Sequence, residues 1–189
     1  MGGFYTSYTL RGVSQRAVAA ALAGREAFVS ASRGGYVVAF DKESDNQDQE
    51  AIAALASGLS KKLDCCVLAA LVHDDDVFWY QLHESGQLAD EYDSCPNYWG
   101  TLGPKPLPPS GGSTARLCAA FQAGDPAAVE AILRKGTGGK GRYVFASDQH
   151  LEFVRALGLP ELAVLNAYAG LMLGEYPEGF EELDLQHCT

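Results

Sequence analysis

Apolar positions along this chain alternate between a period of two and a period near 3.6. Residues 4–10 interleave aromatic and hydroxyl side chains (Phe4, Tyr5, Thr6, Ser7, Tyr8), a strand pattern. Ser14 reads as an N-cap, with Val18, Ala21 and Leu22 on one helical face and Gly24 as the stop. Two short β-rich runs, 27–31 and 36–41, flank Arg33-Gly34-Gly35 as a hairpin. Ser44 and Gln47 have capping-box spacing ahead of a helix carrying Ile52, Leu55, Ala56, Leu59 and Leu63. The run from Cys65 to Val72 is apolar on both faces and predicts a buried strand. Val77–His83 and Gln87–Tyr92 follow as strands joined by a Ser85-Gly86 turn.

The order β-α-β-β-α-β, then two more strands, predicts an α+β fold. Its first six elements match the ferredoxin-like βαββαβ arrangement. We expect a β-hairpin to extend that core into a six-stranded mixed sheet with both helices on one face. The second face needs a cover, because an exposed sheet face is a large apolar patch. Residues 103–112, rich in Pro and Gly, read as a linker between a sheet domain (1–102) and a helical region (113–189). Four short amphipathic helices are predicted there. They are opened by Ser113, by Asp125-Pro126, by Ser147 and by Pro160, and the last runs through Leu165 to Gly174. They are expected to pack on the sheet as one body, since a helical unit of roughly 75 residues builds a marginal core alone. The tail 175–184 is acidic and expected to be loosely packed.

Composition narrows the function classes. The formal net charge is −10, which disfavours nucleic acid and anionic lipid as partners. No apolar run approaches the roughly 20 residues that cross a bilayer, and the N-terminus lacks the features of a secretory signal. The five cysteines, an odd number without a CxxC spacing, suggest free thiols and a cytoplasmic location.

The densest polar feature is His73-Asp74-Asp75-Asp76, between two predicted strands. Pairing 84 with 87, 82 with 89 and 79 with 92 places Cys95 opposite Asp76. One end of the sheet then gathers His73, Asp74, Asp75, Asp76, Asp93 and Cys95. Several carboxylates in one patch suit a divalent cation, and one beside His73 suits a general base. The same residues also suit a solvated turn and a structural corner. Cys95 precedes Pro96 with no helix N-terminus to activate its thiol. Tyr92, Tyr98 and Trp99 form a candidate aromatic groove, or a staple for the Pro-rich segment. The glycine-rich run 136–142 fails the phosphate-loop pattern, because Gly141 follows Lys140 where Ser or Thr belongs.

The run from Val72 through Val77 to Glu91-Tyr92-Asp93-Ser94-Cys95-Pro96 resembles a family of uncharacterised bacterial proteins from high-GC genomes. Phe4-Tyr5-Thr6-Ser7-Tyr8 and Leu157-Gly158-Leu159-Pro160 are similar to that family too. The resemblance implies a bacterial, intracellular protein and brings no activity. The expectation is therefore a non-enzymatic binding or regulatory protein with a protein or small-molecule partner and no predicted cofactor. A small-molecule sensor and a metal-assisted enzyme at the acidic sheet end remain the alternatives. The sequence permits a divalent cation and a homo-oligomer.

Overall fold

A computed structural model describes residues 3–100, 107–137, 141–164, 167–176 and 185–189. Its strands are β1 (Tyr5–Arg11), β2 (Ala27–Ser30), β3 (Tyr36–Asp41), β4 (Cys66–His73), β5 (Val77–Glu84), β6 (Gln87–Asp93), β7 (Ser110–Gly111) and β8 (Leu185–Cys188). Its helices are α1 (Gln15–Ala21), α2 (Gln49–Leu63), α3 (Thr114–Phe121), α4 (Pro126–Lys135), α5 (Ala146–Ala156) and α6 (Tyr168–Met172), with 3₁₀ turns at Lys42–Asn46 and Glu161–Ala163.

The described strands form one eight-stranded sheet in the order β7-β6-β5-β4-β1-β3-β2-β8, and every neighbouring pair is antiparallel. The expected six-stranded mixed sheet is thus corrected on two counts. The crossover from β1 through α1 to β2 leaves one strand's width, and β3 returns into it antiparallel to both, so no parallel neighbours arise. The two added strands come from segments read as linker and tail. Ser110–Gly111 pairs with Tyr92 and Asp93, and Leu185–Cys188 pairs with β2. A two-residue strand carries no periodicity. Gly111 is required where it stands: its φ is +72°, and a Cβ there would lie 2.0 Å from the Glu91 carbonyl oxygen.

Alternation along the strands feeds two cores. On β4, Val67, Ala69 and Leu71 face α1 and α2, packing with Val18, Leu22, Ile52, Ala56 and Leu59. Leu68, Ala70 and Val72 face the other way, onto Leu117, Phe121, Val129, Leu133, Phe153 and Val154 of α3–α5. Towards β2, the same second face is covered by Leu162, Ala163, Tyr168 and Leu171 over Phe28, Val38 and Phe40. The cover demanded by the apolar second face is therefore the helical segment. Within it, His150 lies fully buried, stacked 4.8 Å from Phe78 and with Nδ1 3.1 Å from the Tyr5 hydroxyl.

Three local expectations change. Ser44 and Gln47 form no capping box. Asp48 caps α2 by accepting from the Glu50 and Ala51 amides, while Ser44 donates to the buried Asp41 carboxylate and meets the Tyr8 hydroxyl at 2.6 Å. The helix predicted from Pro160 divides into the second 3₁₀ turn and the five-residue α6. Leu165 lies outside the described residues, as do Gly103–Pro106 of the linker, Lys140, and 177–184 of the tail. Ser147 does not cap α5. That helix starts at Ala146 without a side-chain cap of its own, and its cap comes from the far end of the β4–β5 hairpin.

Candidate functional site

The β4–β5 turn is built from His73 to Asp76. The Asp76 amide donates to the His73 carbonyl, and Asp74 and Asp75 have φ of +51° and +59°. Positive φ at both central residues is the requirement of a type I′ hairpin turn, and Asp tolerates it better than most residues. The turn thus follows from the chemistry that made this sequence conspicuous.

The three carboxylates then separate. Asp75 accepts from the Gly3 amide at 2.6 Å through one oxygen and from the Ser147 amide at 3.2 Å through the other, while its carbonyl accepts from the Ala146 amide at 2.7 Å. It is the missing cap of α5, supplied by a residue 72 positions away, and it ties the N-terminus to the helical layer. Replacing Asp75 by Ala is expected to cost about 1–2 kcal/mol in urea unfolding, with Asn recovering part of the loss. An unchanged unfolding midpoint would refute that role.

Asp76 accepts from the Tyr98 hydroxyl at 3.4 Å, and its carbonyl accepts from the buried Thr137 hydroxyl. Asp93 accepts from the Cys95 amide, which commits it to its own corner. Burial raises the pKa of the Asp93 carboxyl and of the Cys95 thiol, and Cys95 is 7% exposed. A raised pKa and a buried sulfur are the reverse of nucleophile activation. Among the described residues no group of three or more His, Cys, Asp or Glu side chains is disposed to hold a metal ion. The six residues share one end of the molecule, but His73, Asp75, Asp76 and Asp93 serve different partners, and the Asp74 carboxylate has none among the described residues.

The register explains part of this separation. A bulge at Ala89 sets Leu82 opposite Asp90 and Trp79 opposite Asp93, one position beyond the uniform pairing expected from the Ser85-Gly86 turn. Ser94, not Cys95, therefore extends the ladder. Its amide donates to the Phe78 carbonyl, and its hydroxyl accepts from the Phe78 amide.

The aromatic residues divide likewise. Tyr92 is 1% exposed beneath the helical layer, donating to the Leu133 carbonyl and accepting from Gln149, so it belongs to the core. Tyr98 and Trp99 stay together, 5.2 Å apart edge to face, and both rings meet His73, Trp99 at 4.4 Å and Tyr98 at 5.5 Å. Phe4 completes the set at 4.8 Å from the same imidazole.

Gln47 fixes that imidazole. Its side-chain nitrogen donates to the Val72 carbonyl at 2.8 Å, which leaves its oxygen 2.5 Å from His73 Nδ1. Only an N–H can bond that oxygen, so the proton of neutral His73 sits on Nδ1 and Nε2 carries the lone pair. Partial burial lowers the His73 pKa, partly opposed by the charges of Asp74 and Asp76. Gln47 itself is buried in a left-handed conformation, φ +57°.

Around this end the surface is apolar. Phe4 and Trp99 are 47% and 45% exposed, and Val144 and Phe145 are 78% and 51% exposed. Phe145 directly precedes the Ala146 amide held by Asp75, and Phe4 directly follows the Gly3 amide held by the same residue. Leu107, also exposed, is tethered by its amide to the Asn97 side chain. Five of the eight large apolar side chains exposed among the described residues are thus anchored about one turn. Sequence reasoning missed Phe4, read as a strand residue, and Val144-Phe145, which was assigned to no element. An apolar pair directly before a helix start, in a polar glycine-rich stretch, was the available signal. The pattern marked Gln47 only as a capping-box partner of Ser44, and nothing in it pointed to His73.

The opposite end of the sheet holds a cleft of about 750 Å³ lined by Arg11, Asp64, Cys65, Cys66, Glu84 and Ala120 among others. Its polar groups are engaged with each other: Arg11 donates to the Ala120 carbonyl and to Gln122, Ser85 to Asp64, and Arg116 to Glu84. Burial raises the Cys65 thiol to about 11. The basic residues in the last turn of α4 and Arg142 beyond it are engaged as well. Arg134 binds the carbonyls of Gly111 and Gly112, Lys135 lies 4.0 Å above the Tyr143 ring, and Arg142 donates to the Leu107 and Thr137 carbonyls.

No family model, curated protein or solved structure matches the chain. Among the described residues no helix is long and apolar enough to cross a membrane.

Proposed function

We propose that this chain is a non-enzymatic binding protein that docks a protein partner through the aromatic and acidic end of its sheet. The gathering of Phe4, Trp99, Leu107, Val144 and Phe145 around the β4–β5 turn carries this reading. Exposed apolar and aromatic side chains gathered beside carboxylates are the composition of an interface. The cleft at the opposite end is a weaker candidate, because its polar groups already satisfy one another.

We further propose a ferredoxin-like core extended on both edges. The central strand order β4-β1-β3-β2, antiparallel throughout, with α1 and α2 on one face, supports it. That arrangement commonly serves binding and regulation, which is analogy at the level of fold. The resemblance to bacterial proteins and the five free thiols support placement in a bacterial cytoplasm.

Affinity capture from the native host tests the docking surface. The protein is compared with its Trp99→Ala/Phe145→Ser variant and with Leu173→Ser, which removes an exposed apolar residue distant in sequence from the turn. The double variant is expected to lose at least about tenfold of the captured partner while Leu173→Ser keeps it, as truncating two interface-centre anchors does. Equal capture by all three proteins would overturn the reading.

A further inference from the structure

Resting on that docking surface, we propose that it recognises an arginine side chain of the partner. The guanidinium would lie on the exposed face of Trp99 and donate to the Asp74 carboxylate and to Nε2 of His73. Three features point to this ligand chemistry.

The polar groups the turn offers are acceptors. Gln47 takes the only N–H of neutral His73, so Nε2 keeps its lone pair and has no hydrogen-bond partner among the described residues. The Asp74 carboxylate has no hydrogen-bond or ion-pair partner among the described residues. Asp76 adds a second carboxylate, and the Tyr98 hydroxyl is turned onto it. A site of acceptors and carboxylates selects a donor-rich cation and rejects anions.

The apolar groups are aromatic. Phe4, Tyr98 and Trp99 surround the imidazole at 4.4–5.5 Å, and exposed ring faces attract cations through their quadrupoles. A planar guanidinium stacks on an indole while donating in its plane, which a compact ammonium cannot do. The choice of arginine over lysine follows from that geometry.

The imidazole is held at a cost. Gln47 is 7% exposed, adopts a left-handed backbone, and uses both ends of its amide to fix one tautomer of a half-buried histidine. Backbone strain combined with a buried amide is a poor arrangement for stability alone, and it is a good one for presenting an acceptor. The overall charge of −10 favours approach of a basic partner.

Fluorescence tests the proposal on the full chain. Trp79 is buried and Trp99 exposed, so a ligand at this surface changes chiefly the Trp99 emission. The probe is acetyl-Gly-Leu-Arg-Leu-Gly-amide, compared with its lysine and citrulline counterparts. The arginine peptide is expected to give a saturable change at low ionic strength, the lysine peptide to bind several-fold more weakly, and the citrulline peptide to give none. Asp74→Asn keeps a residue that tolerates positive φ and removes no contact, so it folds. It is expected to weaken the arginine peptide about five- to tenfold, as is His73→Phe, whereas Asp64→Asn at the opposite end leaves binding unchanged.

Three results would overturn the proposal. They are equal responses to arginine and citrulline, no saturable response at millimolar peptide, and self-association that Trp99→Ala abolishes, which would make the occupant a second copy. If partner capture depends on Trp99 and Phe145 while the peptides fail, the arginine assignment falls and the docking surface stands. If capture is also indifferent to those residues, both fall.

Discussion

Replacing Phe153 by Ala is expected to lower the unfolding free energy by about 3–5 kcal/mol, in one transition that the sheet and helix signals report together. Phe153 is fully buried on α5. Its ring stacks 5.3 Å from Tyr80 and meets Phe78 edge-on at 5.4 Å, so truncation removes transfer free energy, aromatic geometry and packing at once. These partners lie on β5, near the middle of the sheet, and belong to the same core as Leu68 and Val72. A loss at Phe153 therefore exposes sheet and helix surfaces together. In a chain of this length the midpoint temperature should fall by roughly 10 °C. The check is thermal and urea unfolding followed by far-UV circular dichroism and by emission of the buried Trp79. Helical signal lost first, with Trp79 emission still native, would show that the helical layer unfolds independently of the sheet.

That coupling also explains what the sequence could and could not reveal. The strand–helix order of the first 93 residues was legible because alternation and 3.6-residue stripes are strong where one face of each element is buried. Ile52, Ala56 and Leu59 were read as one face and are buried as one. The demand for a cover over the second sheet face was legible too, since Leu68, Ala70, Val72, Phe78 and Tyr80 require a partner whatever its identity. Position along the chain was not. β7 is too short to carry a pattern, β8 (Leu185–Cys188) lacks the β-branched and aromatic residues that marked β2, and pairing with an existing edge makes both strands. The bulge at Ala89 kept the expected pairing of Glu84 with Gln87 and moved every pairing beyond the bulge by one residue.

At the candidate site, the sequence located the right end of the sheet for a reason only partly right. Asp74 to Asp76 are acidic because a type I′ turn and a distant helix terminus need them, and Asp75 is consumed by that helix. The groups left over for recognition are Asp74, the oriented His73 and the aromatic rim. Phe4, Gln47 and Phe145 join that set through contacts spanning 26 to 72 positions of chain, which no local spacing encodes.

Acid is expected to destabilise the protein through His150, and replacing that residue by Gln should remove the effect. His150 is fully buried, stacked on Phe78, and its Nε2 has no hydrogen-bond partner among the described residues. Burial lowers its pKa to about 3, against roughly 6.5 in the unfolded chain. The unfolded state therefore binds the proton more tightly. The contribution to stability is complete above pH 6.5 and is lost as pH falls from there towards 3, at about 1.4 kcal/mol per pH unit. His73 and His83, whose pKa values burial also lowers, act in the same direction. Asp45 and Asp93, raised by burial, act in the opposite one. The comparison of His150→Gln with the parent removes those shared contributions. Gln keeps a polar atom for the Tyr5 hydroxyl and cannot ionise. Measured by urea unfolding, the stability of His150→Gln relative to the parent should rise by about 2 kcal/mol between pH 7 and pH 5. The physical cause is local: an imidazole fully buried between Phe78 and Tyr5 has no charged partner among the described residues to stabilise a second N–H, so the helical layer must open before that proton can bind. Parallel pH profiles for the two proteins would show that the site admits the proton, or water, while folded.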